Sequence, residues 1–245
     1  MRLQYYFLFF LSVLSVSCLQ SNQQGTDIRH EVSEDDTTQI TSQNGQIPAP
    51  REDPKAVEGF AADYENQNRV IWQKPEMVVD MLGDLTNKTV ADIGAGTGHF
   101  ALRLAKKARR VIAVDIDRKF TDYIDSVKVY ELTKPYQERL ITRLATEADP
   151  ALEEEELDVA VIVNTYMYVE NRTEWLKKIA DGLKPGGRII IIDFKRKRTP
   201  VGPPSRYRVP LYMAEEELEA AGLVNIQTND AALDYQYIVS AERKR

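Results

Sequence analysis

The chain has few residues of the kinds that bind metal ions or form disulfides. Its 245 residues include one cysteine, Cys18, and two histidines, His30 and His99. A metal site needs three or four suitably spaced ligands, and no such spacing occurs, so the sequence predicts no metal site. A single cysteine also excludes an internal disulfide, and export to an oxidising compartment would therefore not threaten the fold.

Apolar runs long enough to span a bilayer are lacking as well. The stretch from Tyr5 to Val16, broken by two serines, is shorter than the roughly 20 residues that a bilayer requires, but it suits a secretory signal. Residues 1–17 followed by Cys18 resemble a bacterial lipoprotein signal, in which the cysteine is lipidated, although Ser15 replaces the usual leucine. An uncleaved anchor and a chance buried cysteine are the alternatives. We expect a lipid-anchored protein of the bacterial cell envelope, or a cytoplasmic one if the signal is not processed.

Residues 18–57 are poor in apolar side chains and rich in serine, asparagine, glutamine, threonine and acidic residues. Such a segment cannot bury enough surface to offset its ordering entropy, so we expect a disordered tether. Residues 58–245 have the length and apolar content of one globular domain. Trp72 and several apolar positions after it predict helices that pack on a sheet edge.

Basic residues do not dominate the chain, whose formal net charge is −6. Nucleic acid is therefore not the expected partner. One basic cluster, Lys195-Arg196-Lys197-Arg198, has Arg206 and Arg208 nearby. It could line the mouth of a site and attract an anionic substrate, or it could be a solvated loop.

The most informative pattern is V-A-D-I-G-A-G-T-G, residues 90–98, followed by an apolar run that ends at Asp115. It predicts a buried strand, a glycine-rich turn, a helix, and a second strand that ends in a carboxylate beside a ribose. The third glycine falls one position too early for the G-x-G-x-x-G pattern that binds dinucleotides. A tight structural turn without a ligand is the alternative.

Further apolar segments alternate with helical ones along the rest of the chain. We predict strands over 140–144, 157–163, 188–194, 224–228 and 235–241, and helices over 120–130, after Thr173, and over 214–221. Continuous runs of isoleucine and valine indicate a parallel sheet buried on both faces. The fold class is therefore α/β.

The G-x-G-x-G turn with Asp92 before it resembles motif I of the class I methyltransferases that use S-adenosylmethionine. The segment L-K-P-G-G-R-I-I-I-I-D-F, residues 183–194, resembles a late strand junction of the same family. Within that family, a poorly characterised bacterial group has three motifs that also occur in this chain, as Trp72-Gln73-Lys74-Pro75, Gly202-Pro203-Pro204 and Gln236-Tyr237. That group often has Tyr-His-His where this chain has Tyr166-Met167-Tyr168, so no histidine role carries over.

The resemblance implies a doubly wound, seven-stranded, mostly parallel sheet of order 3-2-1-4-5-7-6 and a cofactor site. In that site, Asp92 orients the amino group of S-adenosylmethionine, and Asp115 accepts hydrogen bonds from the ribose hydroxyls. The remaining positions it implies are Gly94, Ala95 and Gly96 at the amino-acid end, Ile116 on the adenine face, Thr146 and Glu147 near the adenine edge, and Asn164 facing the substrate crevice.

The expected function is methyl transfer from S-adenosylmethionine to a small-molecule or lipid-like acceptor. Tyr166 and Tyr168 are the candidates for substrate contact or proton handling, with packing as the alternative role for both. A second hypothesis is a catalytically inactive module that binds an adenosyl ligand within a surface or membrane-anchored complex. Export would leave the supply of a cytoplasmic cofactor unexplained.

Overall fold

The computed structural model describes residues 69–245. The expected signal, Cys18, the expected tether and residues 58–68 lie outside the described residues. The strands are β1 (Thr89–Ile93), β2 (Arg110–Asp115), β3 (Leu140–Leu144), β4 (Leu157–Val163), β5 (Leu183–Phe194), β6 (Val224–Asn229) and β7 (Gln236–Glu242). The helices are α1 (Arg69–Gln73), α2 (Pro75–Met81), α3 (Ala101–Leu104), α4 (Arg118–Glu131), α5 (Lys134–Gln137), α6 (Arg172–Gly182) and α7 (Leu211–Ala220), with 3₁₀ turns at Tyr166–Tyr168 and Ser205–Tyr207.

The seven strands form one sheet in the order β3-β2-β1-β4-β5-β7-β6, which confirms the predicted order. Strands β1 to β5 pair in parallel, whereas β7 runs antiparallel to both β5 and β6. The carboxyl ends of the first five strands therefore meet at one edge of the sheet. Strand β7 begins at that same edge, because Gln236 lies opposite Phe194.

Both faces of the sheet are buried, each by its own apolar cluster. In β4, Ala160 and Ile162 belong to the cluster that α6 and α7 cover, while Val161 and Val163 belong to the cluster on the opposite face. Helices α2, α3 and α4 cover that second face. This two-sided burial explains why the strands have continuous rather than alternating apolar sequences.

Strand β5 begins at Leu183, whereas the sequence predicts its start at residue 188. Leu157 pairs with Leu183, and the register then shifts across the bulge formed by residues 184–187. The backbone of this bulge pairs with the end of the chain, since the Gly186 N–H donates to the Arg243 carbonyl at 3.0 Å. The φ of Gly186, 76°, is one that glycine adopts without strain. Within residues 69–245, no helix is both long and apolar enough to cross a membrane.

Candidate cofactor-binding site

The turn after β1 requires glycine for two different reasons. Gly94 has a φ of 75°, and a Cβ built on it would lie 2.2 Å from the Thr165 side chain, so the backbone there packs closely on the segment after β4. Gly96 also has a positive φ, 52°, but a Cβ there would meet no atom within 4 Å. Gly96 therefore borders open space, which a ligand could enter with close approach to bare backbone.

Asp115, the last residue of β2, connects to this turn. Its Oδ2 accepts a hydrogen bond from the Gly96 N–H at 2.8 Å, and its Oδ1 accepts one from the Asp117 N–H at 3.0 Å. Burial raises the pKa of this carboxyl group, and the N–H donors around it act in the opposite direction. Each oxygen retains a further acceptor position, so the side chain has the capacity to bind two hydroxyl groups.

Asp92 lies one residue before the end of β1 and is 2% exposed. Its Oδ2 has no hydrogen-bond partner among residues 69–245. Burial raises the pKa of the Asp92 carboxyl to about 7, against the opposing effects of the Ala101 N–H and the positive charge of Arg69. A buried carboxylate oxygen without a partner is costly, and the amino group of a bound ligand would satisfy it.

Strand β3 brings a loop to the other side of Asp115. The Ala145 N–H donates to the Asp115 carbonyl at 2.8 Å. Thr146 and Glu147 follow in an exposed turn, which two backbone hydrogen bonds between Thr146 and Asp149 close. Ile116 is 54% exposed, an apolar surface that suits packing against a ligand ring.

The structure therefore brings together Asp92, the glycine turn, Asp115, Ile116 and the loop at Thr146 at the carboxyl edge of the sheet. These features fit an adenosyl cofactor: an unpartnered buried carboxylate oxygen, open space over bare backbone, a carboxylate with spare acceptor positions, and an exposed apolar side chain. The individual contacts assigned to these residues stay predictions.

Asn164 follows β4 and lies buried at the carboxyl edge of the sheet. Its φ is 57°, a left-handed conformation that asparagine tolerates, and its side chain is 7% exposed. The Asn164 Oδ1 accepts a hydrogen bond from the Gln236 Nε2, while its Nδ2 has no partner among the described residues. Asn164 therefore joins β4 to the start of β7.

Tyr166 is fully buried, which does not fit the expectation that it contacts substrate or handles a proton. Its hydroxyl donates to Glu217, which forms a buried ion pair with Arg172 at 2.8 Å. Burial and the Glu217 charge raise the pKa of the Tyr166 hydroxyl, so Tyr166 cannot act as a base near neutral pH.

Tyr168 is half-buried and packs against the core cluster that α6 and α7 cover. Trp72 also packs, with its ring centroid 5.4 Å from that of Phe194.

The sequence interpretation missed Asp193, which lies one residue before the end of β5. Asp193 is 1% exposed, and burial raises its pKa to about 7 although it accepts hydrogen bonds from the Phe194 and Met167 N–H groups at 2.7 and 3.2 Å. The sequence did contain a pattern that could have identified Asp193, because it follows a run of apolar residues just as Asp115 does.

His99 lies in the glycine turn, where burial and the charges of Arg69 and Arg103 lower its pKa to about 3 and keep it neutral.

No three histidine, cysteine, aspartate or glutamate side chains within residues 69–245 lie close enough to hold a metal ion.

Comparisons with known proteins agree with this geometry. Residues 91–189 match a family described as a methyltransferase domain. The chain is 32% identical over 170 residues to phosphoethanolamine N-methyltransferase 1 of Triticum aestivum, an alignment that covers 64% of this chain and 32% of the relative. It is 26% identical over 163 residues to a demethylmenaquinone methyltransferase of Tropheryma whipplei, covering 66% of this chain and 61% of that protein. The chain thus spans less than two thirds of either relative.

Among solved structures, a SAM-dependent methyltransferase from Aquifex aeolicus has the same fold. It superposes with a TM-score of 0.67 at 21% identity, covering 75% of this chain and 96% of that one.

Proposed function

We propose that the protein transfers a methyl group from S-adenosylmethionine to a small-molecule or lipid-like acceptor. Residues 91–189 match the methyltransferase-domain family, and the fold is that of the class I enzymes that use this cofactor. The cofactor supplies the methyl group on a positively charged sulfur. The acidic net charge of the chain favours such an acceptor over nucleic acid.

The observation that carries the proposal is the hydrogen bond between the Gly96 N–H and Asp115 Oδ2, which joins the turn after β1 to the end of β2. It fixes a carboxylate with spare acceptor positions beside open space at Gly96. Asp115 would accept hydrogen bonds from the ribose hydroxyls. Asp92 would accept one from the cofactor amino group through its unpartnered oxygen.

Orientation is the main contribution that these residues make to the reaction. Transfer of a methyl group is an in-line displacement, and holding both reactants in the correct geometry can lower a barrier by about 7 to 11 kcal/mol in favourable cases. Neither Tyr166 nor His99 is poised to exchange a proton near neutral pH. We therefore propose that positioning, rather than proton transfer by these two residues, drives the reaction.

Calorimetry with S-adenosylhomocysteine, the demethylated cofactor, tests the site. We expect micromolar binding to the full chain and a loss of at least about 30-fold in the Asp115→Ala variant, since two charge-assisted hydrogen bonds disappear. Asp158→Ala is the matched control, because Asp158 accepts the Thr89 N–H at 2.8 Å from the opposite edge of the sheet. Equal losses in the two variants, or no binding to the wild type, would contradict the proposal. Turnover against a metabolite extract then distinguishes an enzyme from a binding module.

We also propose that the domain is anchored at the membrane through a lipid on Cys18. The support is the apolar stretch and the polar segment around that cysteine in the sequence. The mass of the N-terminal peptide from membranes tests it: a diacylated or triacylated peptide that begins at Cys18 is the expected result. A peptide that begins at residue 1 or 2 would instead indicate an unprocessed protein.

A further inference from the structure

A basic loop follows β5 at the carboxyl edge of the sheet. Residues 195–208 contain six basic side chains and no acidic one, in a chain whose net charge is −6. We propose that this basic loop binds the phosphate group of the methyl acceptor, which makes the acceptor a phosphate-bearing compound. This inference rests on the proposed function, since it assigns a substrate class to the same site.

One buried arginine holds the backbone of the basic loop in place. Arg208 is 3% exposed, and its guanidinium lies 5.1 Å above the ring of Phe194. It donates hydrogen bonds to the carbonyls of Lys195, Lys197, Val201 and Pro203, at distances from 2.7 to 3.3 Å. A loop fixed at four carbonyls holds the backbone positions of its exposed side chains in a defined arrangement, which lowers the backbone entropy lost when a ligand binds.

The basic loop folds back over the end of β5 instead of extending into solvent. Gly202 approaches Phe194 so closely that a Cβ on it would lie 2.4 Å from the ring. The Lys195 N–H donates to the Tyr235 carbonyl at 2.9 Å, beside the start of β7. The Asn164 N–H donates to the Ile192 carbonyl at 2.9 Å, which ties the end of β4 to the same place. Ligands of open α/β sheets bind at this edge.

Three successive cations of the basic loop remain available for a ligand, whereas exposed Arg206 lies 4.5 Å from the centroid of the Tyr207 ring and donates to its hydroxyl at 3.1 Å. Lys195 is already engaged, because its ammonium group lies 3.1 Å from the Asp230 carboxylate. Arg196, Lys197 and Arg198 are exposed, and no carboxylate of residues 69–245 lies within 4.0 Å of their charged groups. Three neighbouring positive charges repel one another, and a bound phosphate would neutralise them through charge-assisted hydrogen bonds.

The size of the cluster favours a single phosphate over nucleic acid. Proteins that bind nucleic acid neutralise many phosphates along an extended surface, whereas the basic loop presents three successive exposed cations and, apart from them, only Arg206, which lies against the Tyr207 ring. The phosphate could belong to a soluble phosphate ester or to a lipid headgroup. Both have the same chemistry at the loop, and only the rest of the acceptor differs.

The test uses the full chain saturated with S-adenosylhomocysteine and two pairs of probes. Calorimetry compares O-phosphoethanolamine with ethanolamine, and flotation compares phosphatidylglycerol vesicles with phosphatidylcholine vesicles. The test variant carries Arg196→Ser, Lys197→Ser and Arg198→Ser. The control variant carries Lys106→Ser, Lys134→Ser and Lys244→Ser, which removes the same charge from exposed positions at the opposite edge of the sheet.

We expect the wild type to prefer O-phosphoethanolamine over ethanolamine, or the net-anionic phosphatidylglycerol vesicles over the zwitterionic phosphatidylcholine vesicles, by about tenfold or more. The test variant should lose that preference, and the control variant should keep it within twofold. A preference confined to O-phosphoethanolamine indicates a soluble acceptor, and one confined to the anionic vesicles indicates a lipid headgroup; both support the inference.

Absence of both preferences while S-adenosylhomocysteine binds would overturn the inference alone. Equal losses in the test and control variants, or tighter binding of a 20-nucleotide RNA than of either phosphate probe, would also overturn it. Failure of S-adenosylhomocysteine to bind the wild type would instead overturn the proposed function.

Discussion

The Asp92→Asn substitution should stabilise the ligand-free protein at alkaline pH while weakening cofactor binding. The folded protein holds the Asp92 carboxyl at a pKa of about 7, whereas an unperturbed aspartate has a value of 3.8. The folded state therefore favours the neutral carboxyl. The contribution of the neutral Asp92 carboxyl to the free energy of unfolding is fully present below about pH 4 and is lost as the pH rises through 7.

The size of this effect follows from the pKa shift. At 1.36 kcal/mol per pKa unit, ionised Asp92 lowers the free energy of unfolding by about 4 kcal/mol at pH 8. At pH 5 most of that loss is absent, because the folded carboxyl is still protonated. An asparagine does not titrate, so the stability difference between wild type and variant should change by about 2 to 3 kcal/mol between pH 5 and pH 8. The change between the two pH values is compared, rather than the difference at one pH, because the cost of burying the asparagine amide does not depend on pH and therefore cancels.

Urea unfolding of both proteins at the two pH values measures that change directly. Asp158→Asn is the control with the opposite sign: burial would raise the pKa of Asp158, but the Thr89 N–H and Lys184 outweigh burial and lower it. That variant should lose stability at pH 8. A stability difference between the wild type and the Asp92→Asn variant that is the same at pH 5 and pH 8 would refute the reasoning about Asp92.

Three further outcomes follow from the structure. Gly94→Ala should prevent cofactor binding and destabilise the fold by at least about 2 kcal/mol, measured by calorimetry and urea unfolding, because its Cβ would clash with Thr165 at a positive φ. Tyr166→Phe should lower the free energy of unfolding by about 1 to 3 kcal/mol yet leave turnover within a few-fold of wild type, and a loss of turnover without a loss of stability would contradict its packing role. Glu217→Ala should cost about 3 to 5 kcal/mol in urea unfolding, since it leaves Arg172 buried without its counter-charge.

The strands and the candidate cofactor-binding turn were predictable because their signals are local. Each of β1, β2 and β4 is a mainly apolar run, interrupted internally only by Asp92 in β1 and Asp158 in β4, and the spacing from Asp92 to Asp115 matches one strand-helix-strand unit. The glycine pattern identified the turn before any contact was known. The strand order came from the family resemblance, because periodicity alone does not determine which strands are neighbours.

The buried polar interactions were not predictable in the same way. The ion pair of Arg172 with Glu217 joins residues 45 positions apart, and nothing around either residue marks a partner. Tyr166 lies in a segment that family analogy associates with substrate, yet its hydroxyl binds Glu217 on α7. Similarly, Gln236 contacts Asn164 across 72 positions. Such contacts depend on how α6, α7 and β7 dock, which local sequence does not encode.

The most direct test of the cofactor site is the change in backbone amide NMR resonances when S-adenosylhomocysteine is added to the labelled protein. The largest changes should occur at Gly96 and Ile116, with smaller ones at Gly94 and Thr146, because Gly96 borders the open space beside Asp115 and the other three residues lie in the segments next to it. Saturable binding whose changes fall elsewhere, for example on α7 or at the opposite edge of the sheet, would contradict the assignment of this site.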